Sequence, residues 1–115
     1  MIARLLISPS LEDRLGEIRK ILSEEGLSSN HPDLLYFPDD SKLGIEQARK
    51  IKEHFSLKPY SAKGRAVVLE NASVMTVEAQ NALLKTLEEP PEEAILLLGA
   101  ASDAELLPTV LSRVE

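Results

Sequence analysis

Few side chains in this sequence have the types and spacing of a catalytic or metal-binding site. The 115 residues include two His and no Cys, which leaves no thiolate for a metal and no disulfide. His31, at the start of HPDLLYF, is interpreted as a residue that orients a loop. Asp39, Asp40 and Asp103 have no companion at metal-ligand spacing and are interpreted as turn residues. The residue types therefore predict neither a metal site nor a cofactor.

The segment AQNALLKTLEEPP has an unfavourable arrangement of charge. On a helix over residues 77–89, Glu88 and Glu89 fall in the last turn, where the partial negative charge of the helix end disfavours carboxylates. Lys85 precedes them, which is the poorer orientation for a helical ion pair. The polar stripe of this helix is formed by Glu78, Asn81, Lys85 and Glu88. A solvent-exposed face is the usual interpretation, but uncompensated charge indicates a constraint from outside the helix.

Strand-like and helix-like segments alternate along the chain. Apolar runs predict strands over residues 4–8, 33–37, 65–70 and 92–100. Helices are predicted from residue 11 with Ser10 as N-cap and Gly26 as C-cap, over 44–56, over 77–89 with Thr76 as cap, and in short pieces around Pro108. Residues 28–32 are predicted as a loop. The third helix is expected to bury Val77, Leu83, Leu84 and Leu87, interrupted by Gln80. This alternation predicts an α/β fold with a mainly parallel sheet.

The composition excludes several classes of function. Hydrophobic residues make up 43% of the chain, and its length suits one domain with an aliphatic core. Aromatic residues make up 3%, too few for a base-stacking platform on single-stranded nucleic acid. The net charge of −6 argues against a broad electrostatic contact with DNA or a membrane surface. No run approaches the length of a membrane span or resembles a signal peptide, so we expect a cytoplasmic protein.

The segment MTVEAQNALLKTLEEPPEEAILLLGAASDAELLPTVLSR resembles bacterial DNA polymerase III clamp-loader subunits of the AAA+ class. It looks most like the delta-prime subunit and less like the gamma/tau ATPase subunit. The resemblance extends back through HPDLLYF, LGIEQARKI and GRAVVLENA and covers residues 31–113, while the first thirty residues match only in layout. It implies that residues 1–115 form a single truncated or minimal three-layer AAA+-like (P-loop NTPase-type) domain without the last strand, lid and collar.

The AAA+ resemblance also implies the strand order 5-1-4-3-2. Without strand 5, the first strand, RLLIS, becomes an open edge, and open apolar edges favour association. Three outcomes remain open: edge-to-edge self-association, a cover from another chain, or residues 1–115 being a fragment of a longer protein.

The nucleotide-binding residues of the family have been replaced. A P-loop needs Gly-Lys, and none of the five glycines is followed by Lys. The resemblance places Glu70 at the Asp that helps to hold magnesium, Asn71 at the Glu that positions the attacking water, and Ala100 at a polar sensor. We therefore expect a degenerate site without cofactor or metal and no ATP hydrolysis by this chain.

One charged motif of the family remains. Ser112 and Arg113 match the Ser-Arg-Cys motif of clamp loaders, with Val114 in place of Cys. The resemblance implies that Arg113 is an arginine finger acting in trans on a gamma/tau-like ATPase subunit, with the sliding clamp and primed DNA engaged indirectly. It also implies a partner interface of Asn81, Lys85, Glu88 and Glu89 beside the Arg-bearing segment. The alternative is a shortened AAA+-derived adaptor or assembly protein with no role at an ATP site.

Overall fold

In the computed structural model, which describes residues 1–28 and 30–115, strands and helices alternate along the chain. The elements are β1 (Ile2–Ile7), α1 (Leu11–Glu24), β2 (Leu34–Phe37), α2 (Ile45–Ser56), β3 (Ala66–Leu69), α3 (Val77–Glu88), β4 (Ile95–Ala100) and α4 (Pro108–Leu111), with a 3-10 helix at Ala72–Val74. Ser29, part of the predicted loop, lies outside the described residues. The alternation confirms the α/β class.

The sheet has the strand order β1-β4-β3-β2, and all neighbouring strands are parallel. This confirms the order expected from the resemblance for strands 1 to 4, with β1 at one edge. The central strands β3 and β4 are buried along their whole length, as their continuous apolar sequences indicate. The carboxyl ends of all four strands meet at one edge of the sheet, the carboxyl edge, and the amino ends meet at the other, the amino edge.

Helices cover both faces of the sheet, which gives three layers. On one face, α2, α3 and α4 pack on side chains such as Val67 and Leu96. On the other face, α1 packs on side chains such as Val68 and Leu97. Successive strand residues therefore belong to different apolar clusters, as the alternation of side chains along a strand requires.

The predicted N-caps of α1 and α3 are confirmed, whereas the predicted C-cap, Gly26, lies one residue beyond Glu25, which is the C-cap of α1. The Ser10 hydroxyl accepts the N–H of Asp13 at 3.3 Å, and the Thr76 hydroxyl accepts the N–H of Ala79 at 3.1 Å. Gly26 has φ of 71° just beyond α1, a conformation that glycine adopts without steric cost. These contacts fix where α1 begins and ends and where α3 begins.

Parts of the sequence prediction were wrong. Val77 is 56% exposed because it is the first residue of α3 and faces away from the sheet, whereas Gln80 is 2% exposed. The helix ends at Glu88, so Glu89 is its C-cap and not its last residue. The predicted strands were also displaced: β1 begins earlier, at Ile2, whose N–H donates to the Ala94 carbonyl at 2.9 Å.

Candidate functional site

The carboxyl edge holds the first candidate site, and Glu70 follows β3 there. Glu70 is 9% exposed and its carboxylate is bonded within the protein. One oxygen accepts the N–H of Asp39 at 2.7 Å, and the other accepts the hydroxyl of Tyr36. Burial, followed by the hydrogen bond to Glu70, raises the pKa of Tyr36. Both carboxylate oxygens of Glu70 are thus used in tying β3 to β2 and the turn after it.

Asn71 and Ala100 lie at the same edge and are also turned inward. The Asn71 side-chain oxygen accepts both the N–H and the hydroxyl of Ser73, and so caps the 3-10 helix. Ala100 is fully buried at the end of β4, and its carbonyl accepts the N–H of Ser8 at 3.0 Å. The structure therefore brings the three predicted positions to one edge, where the Glu70 carboxylate and the Asn71 side-chain oxygen are hydrogen-bonded within the protein.

Arg14 completes this edge and was missed from the sequence. Its side chain is 5% exposed, one terminal nitrogen donates to the Ser8 carbonyl at 2.8 Å, and the other lies 3.4 Å from an Asp39 carboxylate oxygen. Its position four residues before the fully buried Ile18 put it on the buried stripe of α1, which was the available signal.

The residues at the carboxyl edge do not fit the magnesium-nucleotide that the fold family implies. Glu12 and Asp13 in the first turn of α1 repel phosphate, and the buried guanidinium of Arg14 repels a metal ion. The carboxylate of Glu70 already has two partners. Within residues 1–28 and 30–115, no group of three or more His, Cys, Asp and Glu is arranged to hold a metal ion.

The second candidate site is the segment after α4. Ser112 and Arg113 are exposed, and the Ser112 hydroxyl donates to the Thr109 carbonyl at 2.9 Å. The Arg113 N–H donates to the Val110 carbonyl at 3.0 Å, which fixes the backbone. None of the ion pairs among the described residues includes Arg113. Its guanidinium is therefore exposed on a fixed backbone.

Contacts after Arg113 hold the same segment against β1, the strand at the side of the sheet. Val114 packs on the apolar cluster that includes α3, and the Glu115 N–H donates to the Ala3 carbonyl at 2.9 Å. Ala3 lies near the start of β1, so Arg113 is near the amino end of this strand. The two candidate sites consequently lie toward opposite ends of the sheet.

Gln80 joins α3 to the segment that leads into α4. Its amide nitrogen donates to the Glu105 carbonyl at 3.1 Å, and its oxygen accepts the Leu107 N–H at 2.7 Å. Val110 of α4 is fully buried in the same layer. The expectation that α3 lies beside the Arg-bearing segment is confirmed, and Gln80 provides the polar contact.

The polar stripe of α3 faces solvent. Asn81, Lys85, Glu88 and Glu89 are all exposed. An open groove of about 420 Å³ between α2 and α3 is lined by Lys52 and Lys85 as well as by the two glutamates. Lys52 reaches this groove from α2, which the sequence pattern of α3 could not show because Lys52 belongs to another helix.

A third polar cluster lies before β2 and β3 at the amino edge. The fully buried Asp33 accepts the N–H groups of Tyr60, Ser61 and Ala62 at 2.5, 2.9 and 2.8 Å, and Arg65 lies 3.7 Å away. Burial alone would raise the pKa of Asp33, but these donors and the charge of Arg65 lower it to about 2.

His31 orients the loop before β2 and does not activate a nucleophile. Its Nδ1 accepts the Asp33 N–H at 3.0 Å, so in the neutral ring the proton is on Nε2, which lies 3.0 Å from the Ser61 hydroxyl oxygen. A protonated Nε2 cannot take the hydroxyl proton of Ser61. The Ser61–His31–Asp33 arrangement therefore pins a loop.

Known proteins match this chain over most of its length. The family described as DNA polymerase III, delta subunit, matches residues 17–115. The delta-prime subunits of DNA polymerase III from Yersinia pestis and Bacillus subtilis are 39% identical over 90 residues and 35% identical over 89 residues. Each alignment covers 76% of this chain and 26% or 27% of the relative, so the chain spans about a quarter of the relatives' length.

A crystal structure of a DNA polymerase III gamma-subunit-related protein from Thermotoga maritima has the same fold. It matches with a TM-score of 0.87 and 30% identity, over 99% of this chain and 39% of that one. The sheet order and the layers define an AAA+-like α/β domain. The chain belongs to the DNA polymerase III delta subunit family, as a clamp-loader-related N-terminal domain. No helix among the described residues is long and apolar enough to cross a membrane.

Proposed function

We propose that this chain is a delta-prime-like clamp-loader module that hydrolyses no ATP itself and supplies Arg113 to the ATP site of a neighbouring subunit. The observation that carries the proposal is the exposed guanidinium of Arg113 on a backbone fixed by Val110 and by the contact of Glu115 with Ala3. A planar guanidinium contacts phosphoryl oxygens in a fork and stabilises the charge that develops during phosphoryl transfer. The internal hydrogen bonds of Arg14 and Glu70 at the carboxyl edge support the non-catalytic part.

The neighbour is a gamma/tau-type ATPase subunit, and the assembly acts in the cytoplasm. Family membership and the fold shared with a gamma-subunit-related protein support this partner. The exposed stripe of Asn81, Lys85, Glu88 and Glu89 lies on the helix that packs against α4, and is assigned to the same contact. The sliding clamp and primed DNA are engaged through the assembled loader.

The test is ATP hydrolysis by the gamma-type subunit from the same source, with clamp and primed DNA, in the presence of this chain. We expect stimulation by the wild-type chain and a loss of about 10³-fold or more of that stimulation with Arg113→Ala, the range of trans-acting arginines. Arg113→Lys should restore little, because an ammonium lacks the planar fork.

Arg49→Ala is the matched control. Arg49 is also an exposed arginine, but it is paired with Glu46 on α2. It should leave stimulation unchanged. Equal stimulation by wild type and Arg113→Ala, with binding retained, would overturn the trans role.

The edge strand β1 favours the second candidate, an AAA+-derived adaptor, because among the described residues its outer side is paired through the contact of Glu115 with Ala3 alone. Ile2 and Ile7 on this edge strand are 45% and 52% exposed. Exposed strand edges pair with other chains. Self-association or capture of a partner that Ile7→Lys abolishes, with ATPase rates unaffected by the chain, would support the adaptor over the arginine donor.

A further inference from the structure

We propose that Arg14 is a built-in cation that takes the place of a bound metal ion in balancing the carboxyl edge. The edge is then stable without a bound ligand, in addition to having no P-loop sequence. This inference deepens the non-catalytic part of the proposed function. Arg113 has no part in its test, so either proposal can fail while the other stands.

The first support is the burial of a full positive charge at this position. Arg14 is 5% exposed, and a buried guanidinium is retained only when its charge and its N–H groups are compensated. Its partners are the Ser8 carbonyl at 2.8 Å, where β1 ends, and the Asp39 carboxylate at 3.4 Å. The guanidinium therefore connects the end of β1 to the turn that follows β2.

The second support is the negative charge that this cation offsets. The Asp39 backbone N–H donates to the Glu70 carboxylate at 2.7 Å, so the turn that carries Asp39 lies against Glu70. With Arg14 in place, no group of three acidic side chains among the described residues is arranged around a metal ion. Without Arg14, the two oxygens that it contacts, on the Asp39 carboxylate and the Ser8 carbonyl, are hard donors of the kind that magnesium and calcium prefer.

The third support is the position of the guanidinium over the ends of the central strands. A side-chain carbon at Gly99 would lie 3.4 Å from Nε of Arg14 and 2.5 Å from the Glu70 carbonyl oxygen. The guanidinium thus packs directly over the ends of the central strands. Nε of Arg14 is buried and has no hydrogen-bond partner among the described residues. The favourable contacts of the guanidinium are therefore those of its charge and of its two terminal nitrogens.

The experiment compares thermal unfolding of the full chain with and without millimolar magnesium chloride, calcium chloride or magnesium-ADP. The wild type should show no change in Tm with any of them. Arg14→Met keeps the length of the side chain and removes its charge. This variant should unfold at a lower temperature, and magnesium or calcium should raise its Tm by about 5 °C once the ion exceeds its Kd about tenfold.

Two controls separate charge from packing. Arg14→Lys keeps the charge and should show no response to either ion. Arg19→Met removes an exposed arginine from the same helix and should also show none. A wild-type Tm that rises with magnesium or magnesium-ADP would overturn the proposal. A folded Arg14→Met that responds to neither magnesium nor calcium would overturn it as well.

A second variant decides the result if Arg14→Met does not fold. The double variant Arg14→Met with Asp39→Asn removes the carboxylate that Arg14 offsets. Recovery of folding in the double variant, or rescue of the single variant by magnesium or calcium, would support the built-in cation. If both remain unfolded in all conditions, the guanidinium acts through packing and hydrogen bonds alone, and the proposal is wrong.

Discussion

Arg14 and Arg113 are the same kind of side chain in opposite settings. Arg14 is 5% exposed and bonded to Ser8 and Asp39 at the carboxyl edge of the sheet. Arg113 is exposed near the amino end of β1, and no ion pair among the described residues includes it. The Arg14 guanidinium contacts Ser8 just after β1, and Glu115, two residues after Arg113, contacts Ala3 near the start of β1, so the difference lies in where the charge is directed.

The difference is the one expected if the chain donates an arginine to another subunit and binds no nucleotide of its own. At the chain's own site, the terminal nitrogens of Arg14 and the carboxylate of Glu70 are bonded to neighbouring residues. The group proposed to act on another subunit is left exposed. We therefore expect the inward-facing polar side chains to contribute to stability and the outward-facing ones to contribute little.

Asp33 is an inward-facing polar side chain at the amino edge, and its substitution should cause the largest loss of stability. Asp33→Asn replaces a buried carboxylate that accepts three N–H groups and faces Arg65. Because it leaves buried donors and a charge without their partner, we expect a loss of about 3 kcal/mol in the free energy of unfolding. Urea unfolding measures it, and Asp103→Asn, at an exposed turn, should change stability by less than about 0.5 kcal/mol. A similar change in both variants would contradict the prediction.

The same carboxylate predicts a dependence on pH. The pKa of Asp33 is lowered from 3.8 in the unfolded chain to about 2 in the folded protein. A lowered carboxyl pKa stabilises the fold above the unfolded pKa, and this stabilisation is lost as the pH falls from 3.8 toward 2. The stability difference between wild type and Asp33→Asn should therefore shrink over that interval. A constant difference down to pH 2 would show that the charge is not its source.

Arg14 and Arg113 should differ in how much they contribute to the free energy of unfolding. Arg14→Met should lower the free energy of unfolding by about 2 kcal/mol, less than for a fully buried pair because Asp39 is partly exposed. Arg113→Met should stay within about 0.5 kcal/mol of wild type, as exposed substitutions do. Chemical unfolding of both variants in one buffer provides the comparison. Equal losses would remove the distinction between the inward and outward arginines.

The elements of the fold could be predicted from the sequence, whereas its buried polar contacts could not. Continuous apolar runs marked β3 and β4, and spaced apolar residues with caps marked the helices. Arg14 and Gln80 were missed because charged and polar residues are expected at the surface. Their partners are largely backbone groups, such as the carbonyls of Ser8 and Glu105, and no sequence pattern marks those.

The resemblance to clamp-loader subunits supplied predictions that the residue pattern alone did not give, and the structure tests some of them but not others. It gave the strand order, which the structure confirms. It also placed Glu70, Asn71 and Ala100 at one edge, and the structure brings them there. The roles of Arg113 and of the polar stripe on α3 depend on a second chain, and they stay predictions because folding of one chain does not test them.

Gln80 is itself an inward-facing polar side chain, and it supports the segment that carries the outward-facing Arg113. Gln80→Leu keeps the volume and leaves the Leu107 N–H and the Glu105 carbonyl without partners. We expect a loss of about 1.5 kcal/mol in the free energy of unfolding. In a loader assay, stimulation should fall although Arg113 is present. Asn81→Leu, at the exposed neighbouring position, should leave stability nearly unchanged. Full stimulation by Gln80→Leu would show that Arg113 is positioned without α3.

The smallest change in stability is expected at the C-terminal end of α3. Glu88→Gln removes a negative charge from the last turn, where it opposes the helix dipole, so stability should rise by about 0.3 kcal/mol. Glu78→Gln is the matched control in the first turn, where the same change should lower stability by a similar amount. Both effects should weaken as salt is added, because exposed charges are screened. If Glu88→Gln stabilises the chain and impairs its binding to the ATPase subunit, the glutamate is kept for the partner. If it stabilises the chain and binding is unchanged, the stripe is a solvent-exposed face and only Arg113 remains as the outward-directed group.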